Sequence, residues 1–203
     1  MQAKTDAEYW NKEWASSEEW PTNNFAKKAY RLANQRHLKP LLDLGCGDGK
    51  DSVYFYKMGF SVTAVDFSIV GINKVKARDP HISRIHSDIT KLNLDKNSFD
   101  VIYAHLSLHY FDDRTTIQIF KNIHRALRKS GLLFVKCKSV DDPQFGKGEQ
   151  VGPTMYIRGH LRHFFSKEYM SKVLSHFEML SLRRSSSEYA GYRSAFIEAI
   201  ATK

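Results

Sequence analysis

The chain has 203 residues, enough for one domain with a full hydrophobic core. Its 42% hydrophobic and 26% charged residues are ordinary for a globular chain, and no apolar run approaches the ~20 residues of a membrane span. The formal charge of +9 suits nucleic acid, small anions or a plain solvated surface. It is spread along the chain without a run of five like residues, which favours the last reading. The two cysteines, Cys46 and Cys137, make neither a disulfide framework nor a metal cluster. None of the nine histidines falls in a zinc-binding spacing, so no metal is expected. The first ten residues (MQAKTDAEYW) contain no apolar signal core, and a cytoplasmic location is the expectation.

In chain order, Tyr9, Trp10, Trp14 and Trp20 make an aromatic N-terminal segment, with Trp10 and Trp14 on one helical face. Pro21 to Asn24 breaks it and caps a helix over 25–37. A strand is predicted over 40–44, a helix over 50–58 closed by Gly59, a strand over 61–66 and a helix over 69–77. A weak strand follows at 82–86 and a firmer one at 99–104. Apolar spacing at Ile117, Phe120, Ile123 and Leu127 predicts a helix over 115–127, and 132–136 is the next strand. Residues 141–159 read as a long structureless loop of the kind that serves function. Ser166 caps a helix to about 176, and strands at 177–183 and 194–199 form an antiparallel pair. Alternating strands and helices demand a mostly parallel sheet with right-handed crossovers. The predicted layout is one domain over 1–203. It comprises a helical lid segment (1–38), a cofactor core (39–140), a substrate loop (141–165) and a C-terminal helix with strands (166–203).

Residues 41–50 (LLDLGCGDGK) say most about function. Leu41, Leu42 and Leu44 suit a strand buried on both faces. Gly45, Gly47 and Gly49 let the backbone turn and approach a ligand. Strand, glycine turn and helix make the nucleotide-binding half of a doubly wound fold. The dinucleotide fingerprint G-x-G-x-x-G fails here, because Lys50 occupies its third glycine position and Gly49 comes one residue early. Asp43 would also repel a pyrophosphate, yet would favour a ligand carrying an ammonium and a sulfonium. Asp66, about 20 residues on at the end of the next strand, is placed to accept hydrogen bonds from ribose hydroxyls.

This segment resembles motif I of the class I S-adenosylmethionine (SAM) methyltransferases. The resemblance implies a Rossmann-like, seven-stranded, mostly parallel α/β sheet with helices on both faces and a C-terminal antiparallel strand pair. It implies SAM as cofactor, held by Asp43, Gly45, Cys46, Gly47, Gly49, Asp66 and Phe67. Asp88 would meet the adenine amino group, with Ile89 along the base. The segment Ala104 to His109 is similar to an apolar stretch ending Leu-His in small-molecule methyltransferases, whose first residues flank the methionine part. His105 is well placed in any case, since ligands sit at the carboxyl ends of such strands. His109 is read as either an active-site group or a structural histidine. Trp10 and Trp14, with Tyr9 and Trp20, are candidates for a lid with a cation–π contact to the sulfonium.

The segment from Gly159 to Phe165 (GHLRHFF) is similar to one in methyltransferases of the tellurite-resistance type. In a strand, Arg158, His160 and Arg162 would share a face and, with His163, form an anion pocket. The expected reaction is an in-line displacement onto a small, polar or anionic acceptor, in which positioning does most of the work. His105 and His109 are the candidates for a base, should the acceptor lose a proton. Methylation of nucleic-acid bases fits less well. Ala104 to Ser107 replaces the Asn-Pro-Pro-Tyr type segment, and neither cysteine suits attack on cytosine. A protein acceptor and a non-catalytic SAM-binding protein are the remaining alternatives.

Overall fold

The structure, a computed structural model, describes residues 2–17, 22–189 and 192–203; Trp20 of the aromatic segment lies outside them. In chain order the elements begin with α1 (Gln2–Ala15), α2 (Asn24–Gln35), β1 (Pro40–Leu44), α3 (Lys50–Lys57), β2 (Ser61–Asp66), α4 (Ile69–Arg78) and β3 (Ser83–His86). A 3-10 turn at Ile89–Lys91 leads to β4 (Phe99–His105), α5 (Asp113–Ala126) and β5 (Leu127–Lys138). Then come β6 (Glu149–Gly152), β7 (Met155–Arg158), β8 (His160–His163), α6 (Lys167–Val173), β9 (Glu178–Tyr189) and β10 (Tyr192–Thr202).

The main sheet has seven strands in the order β3-β2-β1-β4-β5-β10-β9. Only β10 runs against the rest, pairing antiparallel with both β5 and β9. This is the expected mostly parallel sheet with its C-terminal antiparallel pair. Strand alternation in β1 builds the two layers. Leu42 and Leu44 meet Ile119, Phe120 and Ile123 of α5 and Met170 of α6. Leu41 meets Phe25 and Ala29 of α2, Phe55 of α3 and Val75 of α4 on the other face. Strand order reverses between β1 and β4, and that switch point is where doubly wound sheets open a crevice for ligands.

Residues 141–159 are not structureless. They enter a second, three-stranded sheet in the order β6-β7-β8. Its strands are only four residues each, too short for alternation to stand out from a loop. Strands β9 and β10 also run longer than expected, because their pairing continues past the end of β5.

Asn23 joins the two N-terminal helices of the core. Its side chain caps α2 by accepting from Ala26 N–H at 2.8 Å. The amide also donates to both carboxylate oxygens of Asp51 in α3, at 2.9 and 2.7 Å. Asn23→Ala removes a cap and a hydrogen bond to a charged group, and is expected to cost about 2–3 kcal/mol in urea unfolding. A loss under about 0.5 kcal/mol would show that neither contact carries the junction.

Candidate functional site

The glycine turn is tied to the end of β2. Gly45 and Cys46 N–H both donate to the Val65 carbonyl, at 2.8 and 2.9 Å. Gly47 N–H donates to Asp66 Oδ2 at 2.8 Å, and Ser68 N–H donates to Oδ1 at 2.8 Å. Two of the glycines are required by close approach. At Gly45 (φ 75°) a Cβ would lie 2.3 Å from the Ser107 Cβ; at Gly47 (φ 58°) it would lie 2.5 Å from the Trp14 indole. Both also hold left-handed backbone that L residues rarely adopt.

Above this turn lies a cleft of about 330 Å³, in the usual range of small-molecule sites. Gly45, Asp66, Phe67, Asp88 and Ile89, named from the sequence for the cofactor, line one part of it together with Thr90, while Gly47 and Gly49 lie outside its lining. Trp10 and Trp14, 5.8 Å apart, close it from α1. Leu106, Ser107, Tyr110 and Phe111 after β4, with His160 and Leu161 of β8, complete the wall. Leu106 holds φ 60°, a costly conformation for a branched residue, stabilised by its N–H donating to the Lys136 carbonyl at 2.8 Å.

Other predicted residues sit behind this wall. Asp43 shares the Leu41 face of β1 and turns toward α3, where its Oδ2 accepts from Ser52 Oγ at 2.6 Å. Burial, then the Asp51 carboxylate, push Asp43 up to about 8. Burial also raises Asp51 and Asp66, although backbone N–H donors to Asp66 oppose the rise. The Cys46 thiol turns into the apolar cluster of α2 and α3, which leaves its backbone to the turn. Asp88 caps the 3-10 turn, its Oδ1 accepting from Thr90 N–H at 2.8 Å.

His105 does not line the cleft. Its ring stacks against both Phe25 and Tyr103, 6.1 Å from each by ring centroids, with Nδ1 3.8 Å from Asp51 Oδ2. Burial, then Lys136, lower it to about 3, so it stays neutral. His109 is 1% exposed, and neither ring nitrogen has a partner among the described residues. His160 and Arg162 come together, Arg162 Nη2 lying 3.0 Å from His160 Nε2. Arg158 does not join them: it ends β7 across the turn at Gly159 and donates to Gln144 Oε1 at 2.8 Å. His163 points to the other face of β8, with Nδ1 3.2 Å from the Phe111 carbonyl, and so braces the wall.

Tyr110 and Asn11 escaped the sequence reading. Tyr110 is fully within the wall, 4.3 Å from His109 and 5.2 Å from His160 by ring centroids. Nothing in its spacing sets it apart. Asn11 Oδ1 accepts from Ser68 Oγ at 2.6 Å and docks α1 on α4. Its place between Trp10 and Trp14 on α1 was the available signal.

A glycine turn locked to an acid at a sheet switch point, beneath an aromatic cap, defines a nucleoside-binding α/β site. Comparison with known proteins agrees and narrows it. Residues 41–131 match the methyltransferase domain family. A malonyl-[acyl-carrier protein] O-methyltransferase of Pseudescherichia vulneris is 27% identical over 142 residues, 70% of this chain and 55% of that protein. The probable S-adenosyl-L-methionine-dependent methyltransferase TehB of Haemophilus influenzae is 32% identical over 107 residues, 50% of this chain and 37% of that protein. The chain thus spans about half or less of these relatives. A 1,6-didemethyltoxoflavin-N1-methyltransferase structure from Burkholderia thailandensis, bound to its substrate and S-adenosylhomocysteine, superposes with a TM-score of 0.72. It has 20% identity and covers 99% of this chain and 89% of its own. The matched segment, residues 41–131, is thus similar to SAM-dependent methyltransferases, and the chain has the fold of the solved methyltransferase. No helix among the described residues is long and apolar enough to cross a membrane.

The buried acids set a pH dependence. The folded pKa of Asp43 lies above its ordinary 3.8, so the folded state holds a proton the unfolded chain releases. Its contribution is complete below that value and is lost as pH rises through about 8. Asp43→Asn is therefore expected to gain on the native protein as pH rises through this window, by up to ~1.4 kcal/mol per pH unit in urea unfolding. A difference between the two proteins that does not change with pH would refute the protonated state.

Proposed function

We propose that the chain is a SAM-dependent methyltransferase acting on a small, polar or anionic acceptor. The observation that carries this reading is the Gly47–Asp66 hydrogen bond on the floor of the cleft. It holds the carboxylate where ribose hydroxyls can donate to it, while Gly45 and Gly47 leave the room in which Ser107 and Trp14 pack against the turn. The residues fit the cofactor in charge as well. Burial raises Asp43, Asp51 and Asp66 behind the turn, and a ligand with an ammonium and a sulfonium would favour their charged forms.

Bound SAM supplies a methyl group already activated on sulfur. Asp88 and Ile89 are proposed to border the adenine, and Asp66 with Phe67 the ribose. Trp10 and Trp14 shut the cleft from α1, exclude water and offer π faces to the sulfonium. His160, Arg162 and Tyr110 form the acceptor end, with His109 behind it. SAM held by these residues would supply its methyl group by in-line displacement to an acceptor positioned at this end, and any proton on the acceptor would leave to a base or to water. His105 supports Asp51 in this arrangement.

Asp66→Ala is expected to weaken SAM binding by calorimetry about 10- to 100-fold, the loss of a charge-assisted pair of hydrogen bonds. Unchanged affinity would remove Asp66 from the cofactor site. Labelled methyl transfer into a small-metabolite fraction is the expected activity. Transfer only into RNA or protein would overturn the acceptor class, and no transfer into any fraction would leave a SAM-binding protein without catalysis.

A further inference from the structure

Helix α5 has 14 residues and α6 has 7. At 1.5 Å per residue they run about 21 and 10 Å, so α6 is long enough to cover roughly half of its neighbour. The chain then turns at 174–176 and enters β9. Beside that turn, a groove of about 220 Å³ lies between the two helices. Ile117 and Phe120 of α5 supply apolar walls, with Val173 and Phe177 from the end of α6. All four belong to the core on this face of the sheet or pack against it, so the groove is an opening into that core. It shares no residue with the lining of the cleft above the glycine turn.

The rim of this groove is basic. Lys121, Lys172 and His176 line it, all exposed, and no carboxylate does. The acid next in sequence, Glu178, lies outside the lining. Neither lysine ammonium has an ion-pair partner among the described residues. The positive character continues along α5. Arg125, one turn past Lys121, donates to a neutral amide oxygen, Asn93 Oδ1, at 3.3 Å. Lys203 Nζ donates to the Leu127 carbonyl at 2.7 Å and to Asn97 Oδ1 at 2.9 Å. The His124 ring lies 6.2 Å from His176 and 4.9 Å from Phe177 by ring centroids. Burial, then Lys203 and His176, lower His124, as neighbouring cations should.

Size and charge together select the occupant. The volume falls below the ~300–1,000 Å³ of small-molecule sites and suits one or two apolar side chains acting as anchors. Nucleic acid would use the cations and leave the apolar walls wet. The uncovered half of α5 takes a helix, because two helices pack side by side with axes about 8–10 Å apart. We propose that this groove docks an acidic amphipathic helix of another protein. Its apolar anchors enter between Ile117 and Phe177, and its carboxylates meet Lys121, Lys172 and Arg125. The docking does not depend on the chemistry of the cleft.

The probe is a fluorescein-labelled peptide of about 18 residues, an amphipathic helix with Leu at every third or fourth position and Glu elsewhere. Its fluorescence anisotropy with the full chain is expected to give a Kd of about 100 µM or tighter, weakening as salt is raised. A peptide with Gln for Glu, a peptide with Ser for Leu, and a single-stranded RNA of similar length are each expected to bind about tenfold or more weakly. Lys121→Glu combined with Lys172→Glu is expected to lose about tenfold or more of the affinity for the acidic peptide. Lys27→Glu combined with Lys57→Glu makes the same change in net charge at exposed positions of α2 and α3, on the other face of the sheet. This second pair is expected to stay within about twofold of the native protein. Thermal unfolding midpoints report that both double variants fold. Absence of binding by the acidic peptide, RNA binding as tight as the peptide's, or equal losses in the two double variants each overturns the proposal.

Discussion

Three backbone N–H groups of one turn hold the site together. Gly45, Cys46 and Gly47 donate to the carbonyl of Val65 and the carboxylate of Asp66, so the end of β1 is fastened to the end of β2. This contact joins the glycine turn to the acid at the edge of the cleft. It also brings a buried carboxylate the Gly47 donor, which with the Ser68 N–H offsets part of the desolvation that raises it. The parallel register of β1 and β2 makes the contact possible, since Leu44, the last residue of β1, pairs with Val65, one residue before β2 ends.

The electrostatics of the region follow from the same placement. Asp43, Asp48, Asp51 and Asp66 are all buried around one turn. Asp48 is matched by Arg78 at 2.9 Å, and Asp51 by Asn23, Tyr103 and the neutral His105. Asp43 has a serine hydroxyl and, among the described residues, no ion-pair partner. A fold that tolerates this gains by binding something positive, and that is a physical reason for an acid in a turn where a phosphate binder would exclude one.

The opposite end of the cleft has the reverse character. There, β8 brings Arg162 and His160 against Tyr110, and α1 brings Tyr9 and Trp10 over them. His163 N–H donates to the His109 carbonyl at 2.9 Å, so the small sheet is stitched to the segment that follows β4. Docking of α1 through Asn11 and Ser68 closes the third side. One cleft thus runs from an acidic floor to a basic, aromatic wall. Such a gradient suits the proposed pairing of a cationic donor with an anionic acceptor.

The strand alternation, the glycine spacing and the acids at 43 and 66 were all readable along the chain, because each depends on neighbours within a few residues or on a strand's end. They determined the doubly wound sheet and the cofactor turn. The direction of side chains depended on packing that spacing does not encode. His105 and Asp43 look like ligand groups in sequence, yet each turns to a partner in α3, Asp51 and Ser52. Arg158 and Arg162 look equivalent, yet a turn at Gly159 sends one to Gln144 and the other to His160. Tyr110 acquires its place only when β8, β4 and α1 converge. Local periodicity therefore determined what kind of fold and cofactor turn this chain has. Only the tertiary structure decided which charged and aromatic groups meet, because that is settled by segments over 50 residues apart competing for the same buried space.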